Sequence, residues 1–134
     1  MNLNLAGTGL MVATSVAAAV HPDAFAPLHA GLSGVAFVIG TAALLWAFVL
    51  GIGRSRDELI AVGGLFFLAG GSAPAPVARR FWVALTVQLV AVVAAASVRP
   101  FTVVAFGVLA PMLGMGLMAA WGARHGTFPK RGAR

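Results

Sequence analysis

Few side chains in this 134-residue sequence are equipped for chemistry, and their spacing assembles no reactive set. Acyl or phosphoryl transfer needs a nucleophile beside its base, a pair of carboxylates or a ligand cluster. The only acids are Asp23, Asp57 and Glu58, and the last two adjoin Arg54 and Arg56 in a pattern that balances charge at lipid headgroups. His21, Asp23 and His29 gather near the start and offer the imidazole and carboxylate groups that hold zinc. Their spacing matches no zinc motif, and Pro22 and Pro27 interrupt the stretch, so the three read as polar groups at a surface loop. His125 reads as one more solvated basic residue. The chain has no cysteine, which excludes disulfides, thiolate metal sites and thiol redox chemistry. Neither enzyme activity nor a metal or cofactor is expected.

What remains is chemistry of contact. Gln88 stands mid-way along an apolar run, with Ala84, Ala91 and Ala95 on its helical face, so a neighbouring helix can approach and accept an amide bond worth about 0.6 kcal/mol. Small residues recur four apart in Gly9, Ala13 and Ala17, in Ala30 and Gly34, in Ala36 and Gly40, in Ala110 and Gly114, and in Gly116 and Ala120. Such stripes let backbones gain van der Waals contact where lipid supplies no hydrophobic drive, either within a bundle or against another protein. Pro111 cannot donate to the carbonyl of Gly107, which predicts a bend, and Gly114 and Gly116 loosen the helix beyond it. Ser15, Ser33, Thr41 and Thr86 are expected to bond back to helix carbonyls.

The elements that must carry these residues follow from composition. Apolar residues make up 60% of the chain and charged ones 9%, against about a quarter charged in soluble domains. A helix needs roughly 20 residues to cross about 30 Å of hydrocarbon. Four stretches qualify, at about 3–20, 28–52, 81–98 and 101–121. Residues 59–71 are apolar but too short to cross, and Asp57, Glu58, Pro74 and Pro76 forbid extending them. Glycine pairs at 63–64 and 70–71 make a short interfacial wedge the expectation there. The fold expected is an all-α membrane protein: a bundle of four transmembrane helices (residues 1–121), a short interfacial apolar segment between helices 2 and 3, and a basic tail (122–134).

Charge then orients the bundle. Arg54, Arg56, Arg79, Arg80, Arg124, Lys130, Arg131 and Arg134 fall on one face of a four-span arrangement, with Arg99 alone on the other. Positive charge is retained inside, so both termini are expected in the cytoplasm of a bacterial cytoplasmic membrane. Trp46, Trp82 and Trp121 sit toward the same side, as indole rings do at a membrane boundary. The eight cations are candidate contacts for anionic lipid or an acidic partner. Short clusters bordering apolar runs are the signature of membrane orientation and not of nucleic-acid binding. The first span lacks a preceding Lys or Arg, so it is expected to be retained as a helix and not cleaved as a signal peptide. No ionisable group is expected deep in a span, which argues against a proton-coupled carrier or ion pump but leaves room for a passive pore.

Arg99-Pro100-Phe101-Thr102, Ala105-Phe106-Gly107 and the closing run from Trp121 to Pro129 resemble small polytopic membrane proteins of actinobacteria. Residues 64–70 share the likeness, which implies no activity and no site residues. The first span lacks the glutamate of small multidrug exporters. The leading expectation is a non-catalytic accessory or scaffold subunit of an envelope-associated membrane complex, bound to another membrane protein or to its own copies. The alternative is a homo-oligomeric pore or carrier for a small solute or lipid.

Overall fold

A computed structural model describes residues 2–132. Its helices are α1 (Asn2–Val20), α2 (Pro22–Arg54), α3 (Val62–Phe67), α4 (Ala75–Val98), a 3₁₀ helix (Val103–Leu109) and α5 (Pro111–His125). Counting the 3₁₀ helix together with α5, four units of 19, 33, 24 and 23 residues are long and apolar enough to cross a membrane. The protein is an all-α four-helix bundle.

The outer surface of the bundle is apolar, unlike that of a soluble one. α1 buries Asn4, Thr8, Thr14 and Ser15 while Leu3, Leu5, Leu10, Val16 and Val20 face outward. Water as solvent would demand the reverse, because each outward Leu or Val forgoes about 1.5–3 kcal/mol of burial. Lipid tails remove that penalty, and polar side chains then turn inward to find partners.

α5 lies along α2 and α1 along α4, while the 3₁₀ helix packs between α2 and α4. Glycine sets the closest approach. A Cβ at Gly40 would strike the Met112 carbonyl, and one at Gly116 would strike the Gly40 carbonyl. α1 and α4 run parallel: Asn4 and Phe81 line one cleft, and Ala19 and Val98 line another farther along.

Several boundaries differ from the sequence reading: the third span starts at Ala75 and not near residue 81, because Pro74 and Pro76 stand at the start of α4 without breaking it. The second span starts at Pro22 and not near residue 28, with His21 alone between α1 and α2. Pro22 occupies the first turn of α2, where its missing N–H removes no helical bond, and Pro27 is accommodated inside the helix. At about 1.5 Å per residue, α2 exceeds the hydrocarbon thickness, so its ends reach the headgroups. The fourth span does not bend at a mid-helix proline. It changes from 3₁₀ to α, with Pro111 opening α5, and it runs past Trp121 to His125.

The interfacial segment is more ordered than a loose wedge. α3 ends at Leu68, which adopts a left-handed conformation (φ 54°), with the Ala69 N–H bonded to the Gly63 carbonyl. That conformation costs about 1–2 kcal/mol for a residue with a Cβ. Burial of Leu68 against Phe81, Leu85 and Met118 offsets it. Gly70 and Gly71, both at positive φ, then turn the chain toward α4.

The tail is not free. The Leu59 N–H donates to the Pro129 carbonyl at 2.7 Å, and the Arg131 N–H to the Asp57 carbonyl at 2.8 Å. The Thr127 N–H bonds the Ser72 carbonyl at 2.9 Å. The tail therefore straps the α2–α3 connection, with a single antiparallel bridge between Glu58 and Lys130.

Candidate functional site

Two sets of residues stand out: a polar seam inside the bundle and the basic end. The seam starts on the inner face of α1. Thr8 Oγ1 donates to the Asn4 carbonyl at 2.8 Å and accepts from Gln88 Nε2 at 2.6 Å. Gln88 therefore bonds across a helix contact as its face suggested. Gly114 leaves room for the amide, since a Cβ there would lie 3.0 Å from Gln88 Oε1.

Farther along, His29 Nδ1 lies 3.1 Å from Thr14 Oγ1. The Thr14 hydroxyl has one proton and a carbonyl acceptor, Leu10 O, at 2.9 Å. We assign that proton to the carbonyl, so Nδ1 donates to Thr14 and Nε2 keeps its lone pair. Nε2 is buried without a partner and abuts Gly107, where a Cβ would collide with the ring. Ser15 and Ser33 donate back to the carbonyls of Met11 and His29, both at 2.7 Å, as expected. Thr41 departs from expectation, because its buried Oγ1 has no partner.

His29 corrects two readings. It is fully buried within α2 and not at a surface loop, and an ionisable side chain therefore does lie inside a span. The expected group at the first connection is dispersed: His21 and Asp23 are exposed while His29 turns inward. Among the described residues, no three His, Cys, Asp or Glu side chains converge to hold a metal.

The other packing candidates divide by face. Gly40, Gly107, Pro111 and Gly114 are buried. Ala17, Gly34 and Ala91 are half-buried, and Gly9 and Ala13 face outward, so the α1 stripe does not serve the core. A Cβ at Gly9, Gly31 or Gly34 would meet no atom of the described residues within 4 Å.

At the basic end, Arg54 is an internal clamp and not a free lipid contact. Its Nε and Nη2 hold Glu58 at 2.8 and 2.7 Å, its Nη1 donates to the Ala123 carbonyl, and its Nη2 also donates to the Gly126 carbonyl, both at 2.9 Å. The last carbonyls of α5 are thereby satisfied by a cation, which also suits the negative end of the helix dipole. The guanidinium lies 5.1 Å from the Phe128 ring centre. Arg124 lies 5.0 Å over Trp46, and Trp121 stacks on His125 with centroids 5.3 Å apart. Trp82 Nε1 donates to the Phe67 carbonyl at 3.0 Å. Arg56, Arg79, Arg80, Arg124, Lys130 and Arg131 are exposed, and Arg134 lies outside the described residues. Asn4, Trp46, Trp121, Arg124 and His125 share one cleft, so the start of α1 and the end of α5 lie at the same end of the bundle.

Sequence reasoning missed the Thr14–His29 pair and the Arg54 clamp. Asn4, Thr8 and Ser15 share a helical face at spacings of four and seven, a signal that polar groups line α1. The clamp left no local signal, since its carbonyls lie 69 and 72 residues away. No protein-family model, curated protein or solved structure matches this chain. The protein is an integral membrane protein by its four apolar crossings.

Proposed function

We propose that the protein is a non-catalytic subunit of a larger membrane assembly, sited in a bacterial cytoplasmic membrane with both ends in the cytoplasm. The observation that carries this reading is the contrast between inward and outward glycines. Gly40 and Gly116 are consumed by backbone contact inside the bundle. Gly31 lies nine residues from Gly40 and so faces the opposite way on a helix of about 3.6 residues per turn. It and Gly34 have open space beside them. A helical glycine costs about 1 kcal/mol relative to alanine, and in lipid its use is to admit another backbone. Among the described residues none fills that role on the outer face of α2, so a helix of another protein or a second copy does. The eight-to-one division of Lys and Arg supports the orientation.

Gentle solubilisation of the tagged protein, followed by mass spectrometry, tests the proposal. Wild-type protein should carry a stoichiometric membrane partner or copy, and the double substitution Gly31→Leu and Gly34→Leu should release it without loss of folded protein. Repeated recovery of a lone monomer would overturn the reading.

A small-solute carrier is the second reading, favoured by buried acceptors without partners at Asn4, His29 and Gln88. Met11, Ala36, Val92 and Ala110 pack together in the core, so passage requires the bundle to open. Absence of flux from vesicles holding the pure protein would retire it.

A further inference from the structure

At the basic end, where the start of α1 meets the end of α5, a cleft of about 210 Å³ draws a side chain from each of the four crossings: Asn4, Trp46, Phe81 and Trp121. An apolar cavity of about 150 Å³ accepts benzene, so this cleft has room for a single ring and its substituents. Three aromatic side chains in the lining suit a flat guest, because rings pack offset or edge to face. The lining also grades from dry to wet. Asn4 is 4% exposed and Phe81 is buried, while Arg124 and His125 are exposed, so Asn4 lies toward the floor and Arg124 at the mouth.

Two polar groups of the lining are left incomplete. Asn4 Oδ1 is buried and has no hydrogen-bond partner. A buried acceptor without a donor is costly, and a hydroxyl carried by a guest would complete it. The last torsion of an asparagine is broad, so the amide can turn toward that guest from where it stands. At the mouth, the Arg124 guanidinium lies 5.0 Å over the Trp46 ring. Stacking uses the flat face of a guanidinium and leaves the N–H donors around its edge, whose spacing matches a carboxylate. Among the described residues no carboxylate pairs with Arg124, and none lines the cleft. A ring with a hydroxyl at its inner end and a carboxylate at its outer end would meet both groups.

We infer that the cleft binds a small hydroxylated aromatic carboxylate. Its ring lies against Trp46, Phe81 and Trp121, its hydroxyl donates to Asn4 Oδ1, and its carboxylate accepts from Arg124. The site does not involve Gly31 or Gly34, on which the subunit reading rests, so either can fail alone. Loss of the ligand hydroxyl removes a neutral hydrogen bond and should weaken binding about fivefold. Loss of its charge removes a charge-assisted one and should cost about tenfold or more.

Tryptophan fluorescence of the full chain in a nonionic detergent reads binding, since Trp46 and Trp121 line the cleft while Trp82 stacks on Phe67 outside it. Titration with para-hydroxybenzoate should change the signal saturably. Benzoate should bind about fivefold more weakly and para-hydroxybenzamide about tenfold more weakly. In Asn4→Leu the hydroxyl should cease to matter, so that para-hydroxybenzoate and benzoate bind alike. In Arg124→Gln, a change at an exposed side chain, the acid and the amide should bind alike. Should Asn4→Leu misfold, the comparison of benzoate with para-hydroxybenzoate on wild-type protein decides that arm. A signal that never saturates, the mark of partition into the micelle, would overturn the proposal. So would equal affinity of wild-type protein for the acid and the amide, equal affinity for the hydroxylated and plain acids, or a preference for the acid that survives Arg124→Gln.

Discussion

At the scale of single residues, glycines of one type have opposite roles according to the face they occupy. Gly40 abuts the Met112 carbonyl, and backbone there cannot yield as a flexible side chain can. Gly40→Ala should therefore destabilise by about 1–3 kcal/mol in unfolding from detergent micelles. Gly34→Ala, which meets open space, should be neutral or gain up to about 1 kcal/mol from helix propensity. Equal effects would show that α2 and α5 do not meet at Gly40. The role of Gln88 was legible because an amide inside an oily run must find a partner and small residues share its face. His29 was not, because Pro22 and Pro27 suggested a broken chain. In fact Pro22 sits where a helix starts and Pro27 one turn later, so the helix continues and carries His29 inward.

At the scale of elements, the four crossings could be read from length and apolar composition, since hydrocarbon thickness imposes both. Their ends could not, because ends depend on contacts distant in sequence. The end of α5 is set by Arg54 reaching the carbonyls of Ala123 and Gly126. Arg54→Gln removes the ion pair with Glu58 and the two-pronged contact with these carbonyls. The loss should be about 2 kcal/mol, or roughly 30-fold in the local opening equilibrium. Hydrogen exchange should accelerate across residues 123–131 while the centres of α2 and α4 stay protected. Unchanged exchange would mean that the tail is held without the clamp. The 3₁₀ stretch likewise escaped sequence reading. Proline forbids one bond in an α-helix but does not say whether the chain bends or, as here, rises more steeply at about 2.0 Å per residue before α5 begins.

For the whole molecule, the decisive trait is an outer surface as apolar as the core, and the lipid surroundings it implies were legible as composition before any contact was known. Orientation rests on the asymmetry of positive charge and is open to a direct check, because the chain has no cysteine to confuse labelling. Thr102→Cys lies in the exposed connection beyond α4, and Ser55→Cys lies beside Arg54 at the basic end. A membrane-impermeant maleimide should label Thr102→Cys in intact cells and Ser55→Cys only after permeabilisation. The opposite pattern would invert the bundle.

The strap formed by residues 129–131 bears on how such a protein is made. The acceptor for the Leu59 amide is synthesised 70 residues later, after both remaining crossings. Through insertion of those crossings the connection after α2 lacks its cover, and its backbone groups must be served by water or headgroups. Membrane threading therefore precedes sealing of the basic layer, and a released chain truncated before Pro129 would keep all four crossings with that layer unfastened.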